Sequence, residues 1–300
     1  MKTLLIVHHS LTGGTRRKYT VAAALWLLSA AFFWQWWLTP AHMIEPGRYL
    51  LATFSMGWIY FLQLYFVFVF LQGRRSVAPD PVPGQWRVAM VVTKTAGEPL
   101  SLLQRTLSAM LAQDYPHDTW LADEDPAPAT VAWCEASGVR ISTRKGVADY
   151  HRAEWPRRTR CKEGNLAYFY DHFGYDNYDI VAQLDADHVP QPGYLREILR
   201  PFADPKVGYV SAPSICDANA GESWAARTRL DSEAAFHGAL QCGYSRVFTS
   251  LCIGSHYAVR TRALRQVGGL GPELAEDHST SMLLAAGGWR GVHAIDAIAH

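Results

Sequence analysis

Two apolar runs dominate the front of the chain. Residues 19–38 read YTVAAALWLLSAAFFWQWWL and residues 49–71 read YLLATFSMGWIYFLQLYFVFVFL, and neither holds a charge. At 1.5 Å per residue, each is long enough as a helix to cross ~30 Å of hydrocarbon. Trp34, Trp36 and Trp37 crowd one end of the first run, where indole favours a membrane interface. A cleaved signal peptide would have a shorter apolar region and no second run directly behind it. Two helices buried in a soluble core are the other reading of the same pattern.

After residue 75 the pattern changes. Pro79, Pro81 and Pro83 interrupt the stretch Val77 to Gly84 and mark a linker, since proline cannot continue a helix. Trp86 to Thr93 is a short run rich in valine that predicts a buried strand. Leu100, Leu103, Leu107, Met110 and Leu111 then recur at helical spacing. Trp120 to Ala122, Asn177 to Leu184 and Val207 to Val210 predict further strands, the first two ending in acids. Strands alternating with helices predict an α/β domain with a doubly wound, mostly parallel sheet. Such sheets bind ligands beyond the carboxyl ends of their strands, which is where these acids collect. No internal repeat or low-complexity tract is present.

Charge gives the spans an orientation. Arg16, Arg17 and Lys18 precede the first and Arg74 and Arg75 follow the second, while the loop between holds only Arg48, offset by Glu45. Both flanks are expected on the cytoplasmic side of an inner or plasma membrane. The expected organisation is a cytoplasmic N-terminus (1–18), a span (19–38), an external loop (39–48), a span (49–71), a linker (72–85) and a domain over 86–300.

Composition adds exclusions. With 28 basic and 27 acidic residues the formal charge is +1, which gives no support for nucleic acid as a partner. Apolar residues make up 49% of the chain, and the excess lies in its first 75 residues. The five cysteines, Cys134, Cys161, Cys216, Cys242 and Cys252, form no C-x-x-C pair. They read as buried or incidental thiols, not as a zinc site or disulfide framework.

Leu184-Asp-Ala-Asp-His188 carries the most chemistry. Alternation along a strand would point Asp185 and Asp187 to one side. Two carboxylates that close repel unless a cation lies between them, and Mg²⁺ or Mn²⁺ suits oxygen ligands completed by diphosphate and water. A solvated turn is the bland alternative, and His188 could serve the metal or only the structure.

The run Ile180 to Pro190, IVAQLDADHVP, resembles the metal-binding motif of family-2 glycosyltransferases, in particular the cellulose synthase-like membrane polysaccharide synthases. The similarity runs in order from about Arg87 to His300 and includes the paired spans. Thr93 to Pro99 resembles the uridine-contacting loop, with Thr95 and Glu98 at matching positions. Asp123-Glu-Asp125 resembles the paired acids whose first member, Asp123 here, contacts the base. Arg160 to Asn165 resembles the Lys-Ala-Gly-Asn motif, in which Lys162 would face a diphosphate with Arg157, Arg158 and Arg160 adding positive potential. Ala275-Glu276-Asp277 resembles the Thr-Glu-Asp motif of the catalytic base, although an Asp there could also cap the helix expected over 279–286. Ile253-Gly254-Ser255 matches a segment lining the acceptor channel, and Gly288-Trp-Arg290 also fits. The family has Tyr-Asn where this chain has Ala96-Gly97, Asp where it has Glu124, Thr where it has Ala275, and often Cys where it has Ile253.

The resemblance implies a GT-A-like fold behind two transmembrane helices and inverting transfer from a nucleotide-sugar, a UDP-sugar by analogy, to a glycan acceptor. Asp277 would be the base, with Thr95, Glu98, Asp123, Lys162 and Asp185 on the donor. Gly254, Ser255 and Glu276 would meet the acceptor, and Asp185 and Asp187 would hold Mg²⁺ or Mn²⁺. The expected partners are donor, acceptor, lipid bilayer and the subunits of a synthase assembly. The family usually continues past the equivalent of His300 with a Gln-x-x-Arg-Trp motif and more spans, so either a fragment or a truncated form is expected. A non-processive transferase acting on a lipid or short glycan, and an inactive nucleotide-sugar-binding subunit, remain alternatives.

Overall fold

The structure is a computed structural model that describes residues 7–95, 97–159, 161–272 and 275–300. Strand β1 (Val7–His9) leads into helix α1 (Gly13–Trp37), and helix α2 (Pro46–Leu71) returns into strand β2 (Arg74–Ser76). Both helices are long and apolar enough to cross a membrane. They extend the expected spans toward their N-termini, because Glu45 accepts hydrogen bonds from Gly47 N and Arg48 N and Pro46 opens α2. A soluble-core origin fits poorly: α1 buries no residue, α2 buries only Tyr49 and Val69, and Phe54 is 73% exposed. The two helices meet through Trp37 Nε1, which donates to Thr53 Oγ1 (2.9 Å), and through Tyr49 stacked on Trp37.

β1 pairs antiparallel with β2, His9 opposite Arg74. The flanks of the hairpin therefore lie together at one end. Arg75 joins that end to the domain through a two-pronged contact with Asp296 (2.7 and 2.9 Å). Gly243 packs directly on Val69, where a side chain would overlap it.

The domain contains β3 (Val88–Lys94), α3 (Leu100–Leu111), β4 (Asp118–Asp123), α4 (Pro128–Ser137), β5 (Arg140–Ser142) and α5 (Lys162–Phe169). A wide π-helical stretch (Tyr170–Gly174) leads to α6 (Tyr175–Asn177), β6 (Ile180–Asp185), α7 (Tyr194–Leu199), β7 (Val207–Ser211) and α8 (Trp224–Glu233). A second π-helical stretch (Ala234–Leu240) precedes α9 (Gln241–Val247), β8 (His256–Arg260), α10 (Thr261–Gln266), α11 (Glu276–Ala286) and β9 (Arg290–His293). The seven-stranded sheet runs β5-β4-β3-β6-β8-β7-β9. Four neighbouring pairs are parallel, and β8 is antiparallel to both β6 and β7. The mostly parallel α/β expectation holds.

β3 shows why an unbroken apolar run forms a central strand. Val88, Met90 and Val92 face Leu103, Leu107 and Met110 of α3, while Ala89 and Val91 face Leu166 and Phe169 of α5. Alternate side chains enter opposite cores, so no polar position is needed. Some expectations shift. Leu111 belongs to α3 but is 40% exposed. Asn177 ends α6, so the strand starts only at Ile180.

Candidate active site

The carboxyl ends of three parallel strands meet at one edge of the sheet. Register sets Thr93 beside Asp185 and Lys94 beside Asp123. Asp123 is buried, with Lys94 Nζ 3.7 Å from one oxygen and Asp125 N donating to the other at 3.0 Å. Burial pushes its carboxyl above the ordinary range. Thr95 and Glu98 close a small turn at the end of β3, where Thr95 N donates to Glu98 Oε2 (2.5 Å). Ala96, within that loop, lies outside the described residues.

Asp185 ends β6, and the strand does not continue through Asp187. His188 N donates to Asp185 O (3.2 Å), so a turn, not the pleat, brings the two acids together. Alternation was the wrong mechanism for the right neighbourhood. Ligand atoms of Asp185, Asp187 and His188 lie within 4.8 Å of one another. His188 Nδ1 contacts Asp187 Oδ1 (2.9 Å), and its Nε2 contacts Ser214 Oγ (3.0 Å). The bond to His188 holds the Asp187 carboxyl below its ordinary range. Two carboxylates beside an imidazole form a hard, mostly oxygen donor set that suits Mg²⁺ or Mn²⁺.

Lys162 opens α5, and its Nζ reaches Asp185 Oδ1 (2.5 Å) and the carbonyl of Gly254. Glu163 is buried and accepts hydrogen bonds from Arg157 N (2.8 Å) and Arg158 N (3.3 Å). The basic loop is not a free cationic surface. Arg157 pairs with Asp171 at 2.8 Å, and Arg158 approaches Glu163 at 3.9 Å. Arg160 lies outside the described residues.

The reversed direction of β8 completes the site. Leu184 pairs with His256, so the loop entering β8 arrives where β6 ends, and Asp185 N donates to Ser255 O (2.8 Å). Ser281 Oγ accepts from Cys252 N (2.7 Å) and donates to Asp277 O (2.8 Å), pinning the start of α11 to that loop. The Asp277 carboxylate rests on Gly254: a Cβ there would lie 3.0 Å from Asp277 Oδ2. Asp277 occupies the first turn of α11, with Ala275 at the cap position, so the helix-cap reading fails.

A cavity of about 380 Å³ is lined by Asp185, Asp187, His188, Gly254, Ser255 and Asp277 together. Three acids up to 92 positions apart in the chain thus face one space. Glu276 does not line it; the side chain is buried, and burial pushes its carboxyl above the ordinary range. Arg229, Glu233, His237, Gln241 and His278 also line the cavity. No motif marked the first four, which arrive on α8 and the helical segments after it. His278 had only its adjacency to Asp277 as a signal.

Residues 180–300 match the family model described as glycosyl transferase family group 2. Cellulose synthase 1 of Komagataeibacter xylinus is 24% identical over 238 residues, covering 74% of this chain and 14% of that protein. The UDP-forming cellulose synthase catalytic subunit of Xanthomonas axonopodis pv. citri is 27% identical over 224 residues, covering 71% of this chain and 29% of that protein. The chain is therefore similar to family-2 glycosyltransferases, most directly over residues 180–300. This chain spans less than a third of the length of these two relatives. Its fold is similar to that of a mannosyltransferase from Pyrobaculum calidifontis solved with GDP-mannose and Mn²⁺, with a TM-score of 0.59, 22% identity, and coverage of 79% of this chain and 63% of that one. The five cysteines are all free, and Cys134, Cys242 and Cys252 are buried.

Proposed function

We propose that this chain is a family-2 glycosyltransferase that transfers a sugar, with inversion, from a UDP-sugar to a glycan acceptor at the cytoplasmic face of a membrane, in polysaccharide synthesis. The observation that carries the reading is the convergence of Asp185, Asp187 and Asp277 on one cavity. Two exposed apolar helices whose flanks lie together support the membrane setting. The named donor product of the cellulose synthase relatives, UDP, supports the choice of nucleotide.

In this mechanism Asp277 takes the proton of an acceptor hydroxyl. The acceptor oxygen bonds to the anomeric carbon as the bond from that carbon to the diphosphate oxygen breaks. A positioned base of this kind contributes about 10²–10⁴-fold. Lys162 moves its ammonium contact from Asp185 to the departing diphosphate. Asp185 and Asp187, with His188 beside them, would hold the divalent ion, which when bound offsets negative charge on the leaving group. Asp123, Thr95 and Glu98 would receive the nucleoside end of the donor, and Gly254 and Ser255 would meet the acceptor.

The test is a screen of labelled UDP-sugars and GDP-mannose on membranes containing the chain, with and without Mg²⁺ or Mn²⁺. Metal-dependent transfer from one UDP-sugar is expected. Transfer from GDP-mannose alone would overturn the donor assignment, and product length would tell polymer synthesis from single additions.

A further inference from the structure

One guanidinium ties together the two ends of the proposed donor site without lining its cavity. The Arg144 side chain is fully buried. Its Nη2 donates to Glu124 Oε2 (2.6 Å), one residue from Asp123 at the nucleoside end. The same nitrogen donates to Cys161 O (3.3 Å), and Nη1 donates to Tyr150 O (2.5 Å) and Arg158 O (2.6 Å). Cys161 O also accepts from Gly164 N and Asn165 N, so Arg144 grips the carbonyl on which α5 begins. Lys162, the first residue of α5, is the proposed diphosphate contact.

Gly164 gives independent support. A Cβ at this position would overlap Arg144 Nη1 and the Arg158 carbonyl, so the helix can start here only around that guanidinium. A neighbouring ion pair, Lys145 Nζ to Asp125 Oδ1 (2.6 Å), fastens the Arg144 loop to the turn after β4 at the surface. Burying a cation is costly unless its hydrogen bonds are made. A planar fork can bond a carboxylate and three carbonyls at once; the single ammonium of lysine cannot span them.

We infer that Arg144 is a positioning residue that sets the spacing between the base-binding acid Asp123 and the diphosphate-binding Lys162, so that the site favours nucleoside diphosphates over monophosphates. The inference rests on the donor reading above and names the residue that makes its two halves act together.

The test uses the full chain and isothermal titration with UMP and UDP in Mn²⁺. The expected result is that the unsubstituted chain prefers UDP and that Arg144→Gln loses about tenfold of that preference, the scale of one charge-assisted contact. Its UMP affinity should stay within about threefold, and Arg144→Lys should not rescue. Gly164→Ala, which displaces the guanidinium while leaving Arg144 present, should do the same if Arg144→Gln fails to fold. A merely structural role would lower the melting temperature and weaken both nucleotides equally. An unchanged UMP-to-UDP ratio in the folded variants overturns this inference alone. Binding of neither nucleotide by the unsubstituted chain overturns the donor reading, and this inference with it.

Discussion

Gly254→Ala is the sharpest probe of the proposed base. The added methyl would meet Asp277 Oδ2 at 3.0 Å and Cγ at 3.4 Å. An ordinary contact needs a few tenths of an ångström more, and the Ser281 bonds hold the start of α11, so the carboxylate itself must turn. A displacement of 1 Å at a reacting group costs roughly 10²-fold. Scaled to about 0.3–0.4 Å, kcat should fall roughly 3–10-fold, equivalent to about 0.7–1.4 kcal/mol of barrier. The Gly254 carbonyl that contacts Lys162 is backbone and remains, so donor KM should stay within about twofold. No left-handed backbone is required at this position, and alanine reduces unfolded-state entropy by about 0.4–1 kcal/mol. The melting temperature should therefore hold or rise slightly. Steady-state kinetics with saturating donor, next to a thermal melt, separates these effects. In an Asp277→Asn background the substitution should add nothing, because both act on one group. Unchanged kcat, or a loss expressed mainly in donor KM, would refute the placement of Asp277 as base.

Other predictions follow from the same geometry. Asp277→Asn should lose about 10²–10⁴-fold in transfer while UDP still binds with Mn²⁺; appreciable turnover would remove Asp277 from its role. Asp185→Ala should abolish the metal dependence of UDP binding by calorimetry, and binding that still responds to Mn²⁺ would move the ion elsewhere. Stability should fall in mild acid. His293 is fully buried and pushed down to about 3, and burial also holds His256 well below the ordinary imidazole range. The unfolded chain therefore takes up more protons than the folded one as pH drops through about 6.5. Stability is intact above that value and lost below it, at up to about 1.4 kcal/mol per pH unit for each imidazole. Burial raises the Asp123 and Glu276 carboxyls, an effect of opposite sign whose window lies lower, in the carboxylate range. A melting temperature that does not change between pH 7.5 and 5.5 would contradict this assignment. Finally, protease added outside intact cells should spare everything after Arg75; digestion there would reverse the proposed orientation.

The sequence by itself determined the elements whose signal is local. The two uncharged runs, the valine-rich β3, and the acids ending β4 and β6 were legible because hydrophobic period and strand ends are properties of short windows. The ordered motifs around Asp123, Lys162, Asp185 and Asp277 were legible too, since chemistry is carried by residue type. What the tertiary structure decided was how those windows meet. Asp187 joins Asp185 through a turn instead of a pleat, which no alternation rule could give. Ser255 reaches Asp185 because β8 runs antiparallel to β6, and strand direction depends on which partner a strand finds. Asp277 faces the cavity because Ser281 fastens α11 to the loop at Cys252, a bond across 29 positions. No motif marks Arg144; its bonds to Glu124, Tyr150, Arg158 and Cys161 exist only once the segments around it have folded onto its guanidinium. Long-range pairing is set by the summed packing of the whole sheet, and no local stretch of sequence contains that sum.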